Sequence, residues 1–146
     1  MDPIAIHTAQ ERTAALETLI TERDGLVARY YDGTRQFLEM TNVDDATRNA
    51  LIASFSSGEQ MAELRLGEWA AAERNSMRLL TQLLQVAEHN LGRARVVSGD
   101  FILPDPADAR LFASLLVSLQ AAAAREKSAT AGVVAIWPSA VPEASR

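Results

Sequence analysis

Residues able to carry out acid–base or metal chemistry are few in this 146-residue chain. The histidines are His7 and His89, and His89 directly follows Glu88. Helical di-iron sites use Glu-x-x-His, because a spacing of three places both ligands on one face of the helix. Adjacent residues face different directions and cannot share a metal in this way. Cysteine is absent, which excludes disulfides, cysteine-ligated metals and thiol catalysis. We therefore predict no metal site and no cofactor.

The remaining candidates for catalysis are glutamates and one lysine. Glu59, Glu63, Glu68 and Glu73 are spaced by four, five and five residues, and this spacing drifts around a helix. We interpret them as a solvated acidic face. The sequence contains neither a G-x-S-x-G elbow nor a G-x-x-x-x-G-K-[ST] phosphate loop, and Lys127 lies near a predicted helix end. We predict no catalytic residue, and an enzyme without a recognisable motif is the third of three functional hypotheses.

Composition and charge are typical of a globular helical domain. Hydrophobic residues make up 48% of the chain and aromatic residues 5%, so the core must consist mainly of aliphatic side chains, which suits helix packing. The net charge of −5, without a basic cluster, argues against a nucleic-acid partner. The chain begins without a signal-peptide pattern, and no apolar run reaches the ~20 residues of a membrane span. We expect a cytoplasmic protein with no membrane span.

The first helix is predicted from about residue 7 to residue 40, where apolar residues recur in steps of three and four. Gly25 and Gly33 interrupt this stretch, and each costs about 1 kcal/mol relative to alanine in a helix. The apolar stripe stays in phase through both glycines, so we predict one long helix. The residues assigned to its buried side are Leu16, Leu19, Ile20, Leu26, Val27, Tyr30, Phe37 and Leu38.

Two more helices are predicted after the turn from Thr41 to Asp44, which supplies side-chain oxygens able to cap the first, short helix. Ser56 and Glu59 have capping-box spacing, which predicts a break and a new helix start. The next apolar stripe covers residues 59–97, and Ser98-Gly99 is predicted to end it. A helix of that length needs a long partner, so we predict that it forms an antiparallel hairpin with the first helix.

The fourth predicted helix begins after Asp105-Pro106, an N-cap acid followed by proline at the first helical position, and ends near residue 128. The chain then closes with "AGVVAIWPSAVPEASR", where Thr130 to Gly132 are predicted to form a hinge. We divide the chain into a helical bundle domain, residues 1–130, and an extended, proline-containing tail, residues 131–146. The fold class is all-α, a long antiparallel hairpin with two shorter helices packed on it.

The C-terminal third carries more apolar side chains than a closed bundle needs. Such a surplus indicates a partner, and an amphipathic helix is a common one. We predict a non-catalytic chaperone or adaptor, with a structural subunit of a larger assembly, such as a phage particle, as the alternative. The tail could pack on its own core or on another chain, and a homo-oligomer is a further possibility. The predicted partner-binding residues are Leu111, Phe112, Leu115, Leu116, Leu119, Ile136 and Trp137.

Two stretches resemble flagellar type III export chaperones of the FlgN-like family. "LETLITERDGLV", residues 16–27, is similar to their early Leu-rich helix, and "ERNSMRLLTQLL", residues 73–84, to a later helix that carries an asparagine, here Asn75. The resemblance covers residues 16–97. The stretch "TNVDDATRNALIASF" and the proline-flanked C-terminal region depart from the family's pattern. The resemblance implies a cytoplasmic helical chaperone whose C-terminal third captures an amphipathic helix of an exported subunit.

Overall fold

A computed structural model describes residues 3–97 and 100–136 of the chain. Helices dominate the described residues, which confirms the all-α class. The first helix runs unbroken through Gly25 and Gly33, as predicted. The elements in chain order are α1 (Pro3–Met40), α2 (Asp45–His89), β1 (Arg95–Val97), β2 (Asp100–Ile102) and α3 (Pro106–Ile136).

The chain divides into two compact units. Unit 1 comprises Met1–Thr18 and Ala72–Lys127, and unit 2 comprises Leu19–Ala71 and Ser128–Arg146. In unit 1 the beginning of α1 lies beside the end of α2, because Gln10 Nε2 donates a 2.8 Å hydrogen bond to Glu88. The two helices are therefore antiparallel in this unit. Its core is a buried cluster against which neighbouring side chains pack: Leu79, Leu115 and Ala122, surrounded by Leu83, Val86 and Leu119.

In unit 2 an ion pair between a half-exposed arginine and a buried glutamate joins α1 to α2. Arg35 Nη2 donates to both carboxylate oxygens of Glu59, at 2.7 and 2.6 Å. Tyr31, one turn earlier, is buried, and its ring centroid lies 6.0 Å from that of Phe55. The end of α1 thus lies beside the beginning of α2, so the predicted antiparallel arrangement is confirmed in this unit as well.

The helix break predicted at Ser56 is wrong, because α2 continues through this region without interruption. Gly58 costs about 1 kcal/mol relative to alanine, and burial of Ala62 on the next turn together with the Arg35–Glu59 pair offsets that cost. Glu59 is 6% exposed. Its assignment to a solvated acidic face is therefore also wrong, since its carboxylate is buried and paired with a guanidinium.

The end of α2 at His89 differs from the prediction of a helix to residue 97. Gly92 has a φ of +74°, a left-handed conformation that glycine adopts without steric penalty and that commonly ends helices. Residues 95–97 then pair with residues 100–102 in an antiparallel ladder in which Val97 faces Asp100. The sequence signal for this hairpin is a Ser-Gly pair flanked by "RVV" and "DFI", with β-branched and aromatic residues on either side.

The beginning of α3 is confirmed and its end is corrected. Asp105 Oδ1 accepts a 2.7 Å hydrogen bond from the backbone N–H of Ala107, as expected of an N-cap. The helix continues to Ile136, so the predicted hinge and the extended conformation over residues 131–136 are wrong. Val133 is buried within unit 2, and a Cβ at Gly132 would lie 3.7 Å from Arg65 Cδ, so this turn packs against α2. Trp137 and the rest of the predicted tail lie outside the described residues.

Asp44 caps α2, and we predict that its contribution to stability is lost in acid. The Thr47 hydroxyl and then the Thr47 N–H hydrogen-bond to its carboxylate, at 2.6 and 2.9 Å, and hold the pKa of Asp44 below its ordinary value of 3.8. The ionised form is favoured in the folded state, so its contribution is present above that value and is lost as the pH falls through the lower folded pKa. Asp44→Ala should lower the thermal midpoint at pH 7, and the difference from the wild type should shrink toward about pH 3.

The control for this measurement is Asn42→Ala, an exposed position in the same turn. Circular dichroism melts at both pH values measure the effect. A difference between Asp44→Ala and the wild type that does not change with pH would contradict the assignment of Asp44 as an ionised cap.

Candidate helix-binding cleft

The junction between α2 and α3 in unit 1 is fixed by a buried asparagine. Asn90 is fully buried, and its Nδ2 donates to Asp108 Oδ2 at 2.8 Å and to the Val86 carbonyl at 3.0 Å. Its Oδ1 is buried without a hydrogen-bond partner among the described residues. A buried amide that donates to a carboxylate forms a charge-assisted hydrogen bond, which is stronger than a neutral one. Asn90 therefore sets the distance between the last turn of α2 and the first turn of α3.

A cleft of about 380 Å³ lies beside this junction. Two short rows of side chains form its walls, and each row follows one helix with the i, i+3, i+7 spacing of a single face. The α2 row contributes polar groups, whereas the α3 row becomes more apolar along the chain. Val86 and Leu115 are the least exposed residues of the apolar floor. The lining residues are Gln82, Gln85, Val86 and His89 from α2 and Asp108, Leu111 and Leu115 from α3.

The shape and composition of the cleft suit a third helix. A groove between two helices accepts the ridge of another, and partner helices commonly anchor apolar side chains in such grooves. Leu111 is 47% exposed at the mouth of the cleft, so its side chain is accessible to a partner. Polar groups at the rim, including the Gln85 amide, match the usual anatomy of an apolar centre with a polar border.

The polar groups of the cleft include one pair of ionisable side chains, a histidine and an aspartate. His89 Nε2 lies 3.9 Å from Asp108 Oδ2, which is longer than the roughly 2.6–3.2 Å of a direct hydrogen bond for proton transfer. The lining residues in the described part of the chain contain no serine, threonine or lysine that could serve as a nucleophile beside it. The Asp108 carboxylate also accepts a hydrogen bond from Asn90. This Asn90–Asp108 contact has a structural role, because it joins the end of α2 to the beginning of α3.

The predicted partner-binding leucines do not share one surface. Leu115 and Leu119 pack with Leu79 in the core of unit 1, and Leu115 also forms part of the cleft floor, so a role of these two residues in partner binding stays a prediction. Leu111 lines the cleft, and Leu116 is 40% exposed on another side of α3. Phe112 is half-buried between these positions. Ile136 is the last residue of α3, and Trp137 lies outside the described residues.

One exposed apolar surface was assigned to the core by the sequence analysis. Five side chains on one side of α1 in unit 2 are 58–78% exposed, although four of them belong to the stripe predicted to be buried. We call this surface the outer row. The signal that distinguishes it is a pair of apolar residues at successive positions, of which a helix can bury only one. The outer row consists of Leu19, Leu26, Tyr30, Phe37 and Met40.

Comparison of the chain with family models, with curated proteins and with solved structures found no match.

Proposed function

We propose that this chain is a non-catalytic helical adaptor or chaperone that binds an amphipathic helix of another protein in the α2–α3 cleft. The observation that supports the proposal is the arrangement of Leu111 at the mouth of a groove with an apolar floor and a polar rim. Its volume of about 380 Å³ is sufficient for several apolar side chains of a partner. The narrower form of the proposal is an export chaperone of the FlgN-like type, which the resemblance over residues 16–97 suggests.

A membrane is a less suitable partner for α3 than a protein. Helix α3 is long and apolar enough to cross a membrane, and 11% of its most apolar stretch is buried. However, helix α3 as a whole also contains Arg125, Glu126 and Lys127. Neither of the uncharged runs, residues 111–124 and residues 128–136, reaches the ~20 residues that span a bilayer. Three consecutive charged side chains at membrane depth would cost about 2.5–3.5 kcal/mol each for insertion. We therefore favour a proteinaceous partner, in a cytoplasmic setting.

The adaptor proposal is tested by photo-crosslinking in the source cells. A benzophenone amino acid in place of Gln85 at the cleft rim should form an adduct with one dominant protein. Mass spectrometry should locate the crosslinked peptide in a segment with apolar residues at helical spacing. Adding Leu111→Arg should abolish that adduct. The circular dichroism spectrum should stay unchanged, because position 111 is partly exposed and the guanidinium of the introduced arginine would point to solvent.

The control places the same photo-reactive residue at Gln60, which is exposed on α2 in unit 2. The proposal requires that this position does not capture the same protein. It would be overturned if position 85 gave no adduct, gave adducts only with copies of this chain, or kept its adduct in the Leu111→Arg variant. For the export-chaperone form, the captured protein must itself be an exported flagellar subunit.

A structural subunit of a larger assembly is the second candidate, favoured by the outward side of α3. Small or apolar residues follow that side with spacings of three and four and without a charged residue among them, which permits close helix contacts. Under this candidate the chain forms large oligomers on its own, which light scattering after size-exclusion chromatography measures directly. The residues of this side are Ala113, Val117, Ala121, Ala124, Ser128, Ala131 and Ala135.

A further inference from the structure

Helix α1 carries two apolar rows within unit 2. The inward row packs against its own unit, and Tyr31 is its most buried member. The outer row precedes it by one residue at four positions, which rotates it by about 100° around the helix. Tyr30 illustrates the difference, since it is 63% exposed although its neighbour Tyr31 is buried. Within the described residues of the unit the five side chains of the outer row stay 58–78% exposed, and the ring of Tyr30 contacts that of Tyr31 edge-on, at 5.5 Å between centroids.

The outer row has the spacing of a coiled-coil seam. Leu19 and Leu26 are seven residues apart, Tyr30 and Phe37 are also seven apart, and Tyr30 follows Leu26 by four. These positions are the a and d positions of a heptad repeat, a 3.5-residue period that two helices share when they wind around each other. The two positions of the same seam that lack an apolar side chain are Arg23 and Gly33.

Arg23 and Gly33 make this seam complementary to itself. An antiparallel two-fold arrangement that sets Leu26 against Tyr30 of a second copy also sets Leu19 against Phe37, and Arg23 against Gly33. Each aromatic ring then faces an aliphatic side chain, and the one charged residue faces a glycine. The Arg23 guanidinium lies over the Trp69 ring of its own unit, 3.9 Å from the ring centroid, and so is directed away from the seam.

We propose that the outer row is the interface of a symmetric, antiparallel homodimer. Two aromatic and three aliphatic side chains, each more than half exposed, offer on the order of 600 Å² per chain. This area approaches the ~800 Å² per partner of a standard stable interface, and the flanking side chains supply the remainder. The homodimer does not depend on the adaptor function, because the outer row and the α2–α3 cleft are different surfaces.

The charges beside the outer row also favour a second copy. The residues that flank the row on its exposed side are Glu22, Arg29 and Gln36, one acid, one base and one amide. Such a border has no net charge and does not select a partner of opposite charge. A Cβ at Gly25 would lie 3.4 Å from Arg29 Nη1, so this guanidinium folds back along its own helix and leaves the seam clear.

The first arm of the test measures self-association of the full chain by sedimentation equilibrium. The wild type should be a dimer at micromolar concentration. Leu26→Glu should raise the dimer dissociation constant at least about a hundredfold, because a carboxylate would be buried opposite an aromatic ring. The matched control is Ala28→Glu, which places the same charge on the opposite side of α1, where the position is exposed. Both variants should keep the helical circular dichroism signal, since neither position is buried in the monomer.

The second arm tests the antiparallel geometry with introduced cysteines. The natural sequence contains no cysteine, so any disulfide must involve the introduced residues. The double variant Leu19→Cys/Phe37→Cys should form a covalent dimer on oxidation. Each single variant should not, because two copies of one position lie about 27 Å apart along the helices. Within one chain the two positions are separated by the same distance, so no internal disulfide can form.

The remaining outcomes decide between occupants of the outer row. A wild type that stays monomeric at all concentrations overturns the proposal, as does a dimer that Leu26→Glu leaves intact. Efficient crosslinking of Leu19→Cys alone would show a parallel arrangement and overturn the antiparallel one. If deletion of residues 137–146 is required before dimers form, the row is covered by the chain's own end and the proposal fails. Crosslinking from position 85 should be unaffected by Leu26→Glu, which separates this result from that of the adaptor function.

Discussion

Leu115→Ala should lower the free energy of unfolding by about 2–5 kcal/mol, whereas the same change at neighbouring Leu116 should cost less than about 1 kcal/mol. Leu115 is 7% exposed and belongs to the buried cluster with Leu79 and Ala122. Removing three side-chain carbons there loses their transfer free energy and leaves a cavity that the surrounding helices fill only in part. Leu116 is one residue further along α3 and points away from that cluster.

Urea unfolding followed by circular dichroism at 222 nm measures both variants. The two substitutions remove the same atoms from adjacent helical positions, so each is the control for the other and helix propensity cancels. Equal costs for the two would contradict the placement of Leu115 in the core and of Leu116 on the surface. A larger cost for Leu116 would show that Leu116 rather than Leu115 packs in the core.

Asn90→Asp should destabilise the fold by about 3–5 kcal/mol at neutral pH, although the side chain keeps its shape. The substitution replaces the amide that donates to Asp108 and to the Val86 carbonyl with a carboxylate that cannot donate. Two carboxylates at hydrogen-bond distance in a buried position cannot both ionise without a large cost, so the pKa of the pair must rise above the ordinary value. A raised folded pKa means that stability is present at low pH and is lost as the pH rises.

The loss in free energy of unfolding caused by Asn90→Asp should therefore be smallest near pH 4 and largest at pH 7. Urea unfolding of the variant and the wild type at each pH measures this loss. Asn75→Asp is the matched control, because Asn75 Oδ1 accepts a 2.9 Å hydrogen bond from Arg78 and a carboxylate there can keep it. This control should change stability by less than about 0.5 kcal/mol. A pH-independent deficit in Asn90→Asp would show that Asn90 does not bond to Asp108.

Local signals in the sequence predicted the class of the fold and several of its boundaries. Asp105 was identified as a cap, and the cap of α2 was placed within Thr41 to Asp44; in the structure Asp105 and Asp44 accept hydrogen bonds from the first turns of these helices. The continuous stripe through Gly25 likewise predicted an unbroken α1. These features depend on a few adjacent residues, so the sequence contains the information directly.

Features that depend on distant contacts were missed. Ser56 to Glu59 has the pattern of a helix start, but the helix continues because Glu59 reaches Arg35, 24 residues earlier in the chain. Helix α3 likewise continues through Gly132, at a turn that lies beside Arg65 of α2. Tertiary contacts outweigh local preferences of about 1 kcal/mol, and a single sequence does not show which contacts form.

The candidate site was predicted only in part, for a reason specific to apolar helices. Leu111, Leu115 and Leu116 look equivalent in a sequence, because a helix with apolar residues on several sides does not reveal which side meets its own core. The structure places Leu111 at the mouth of the cleft, Leu115 in the core beneath the cleft and Leu116 on the outside. The same ambiguity led to the assignment of the outer row of α1 to the interior. The hairpin of β1 and β2 carried a usable signal in its Ser-Gly pair, but the long helical pattern before it obscured that signal.

The division of the chain into two units has a consequence for optical measurements. Both tyrosines and both tryptophans of the sequence fall outside Met1–Thr18 and Ala72–Lys127, so unit 1 contains no residue that fluoresces appreciably. Trp69 reports on unit 2, where the guanidinium of Arg23 stacks on its ring. Intrinsic fluorescence therefore follows one unit, while the amide signal at 222 nm follows the helices of both. Loosening of unit 1 alone would be silent in the first measurement and visible in the second.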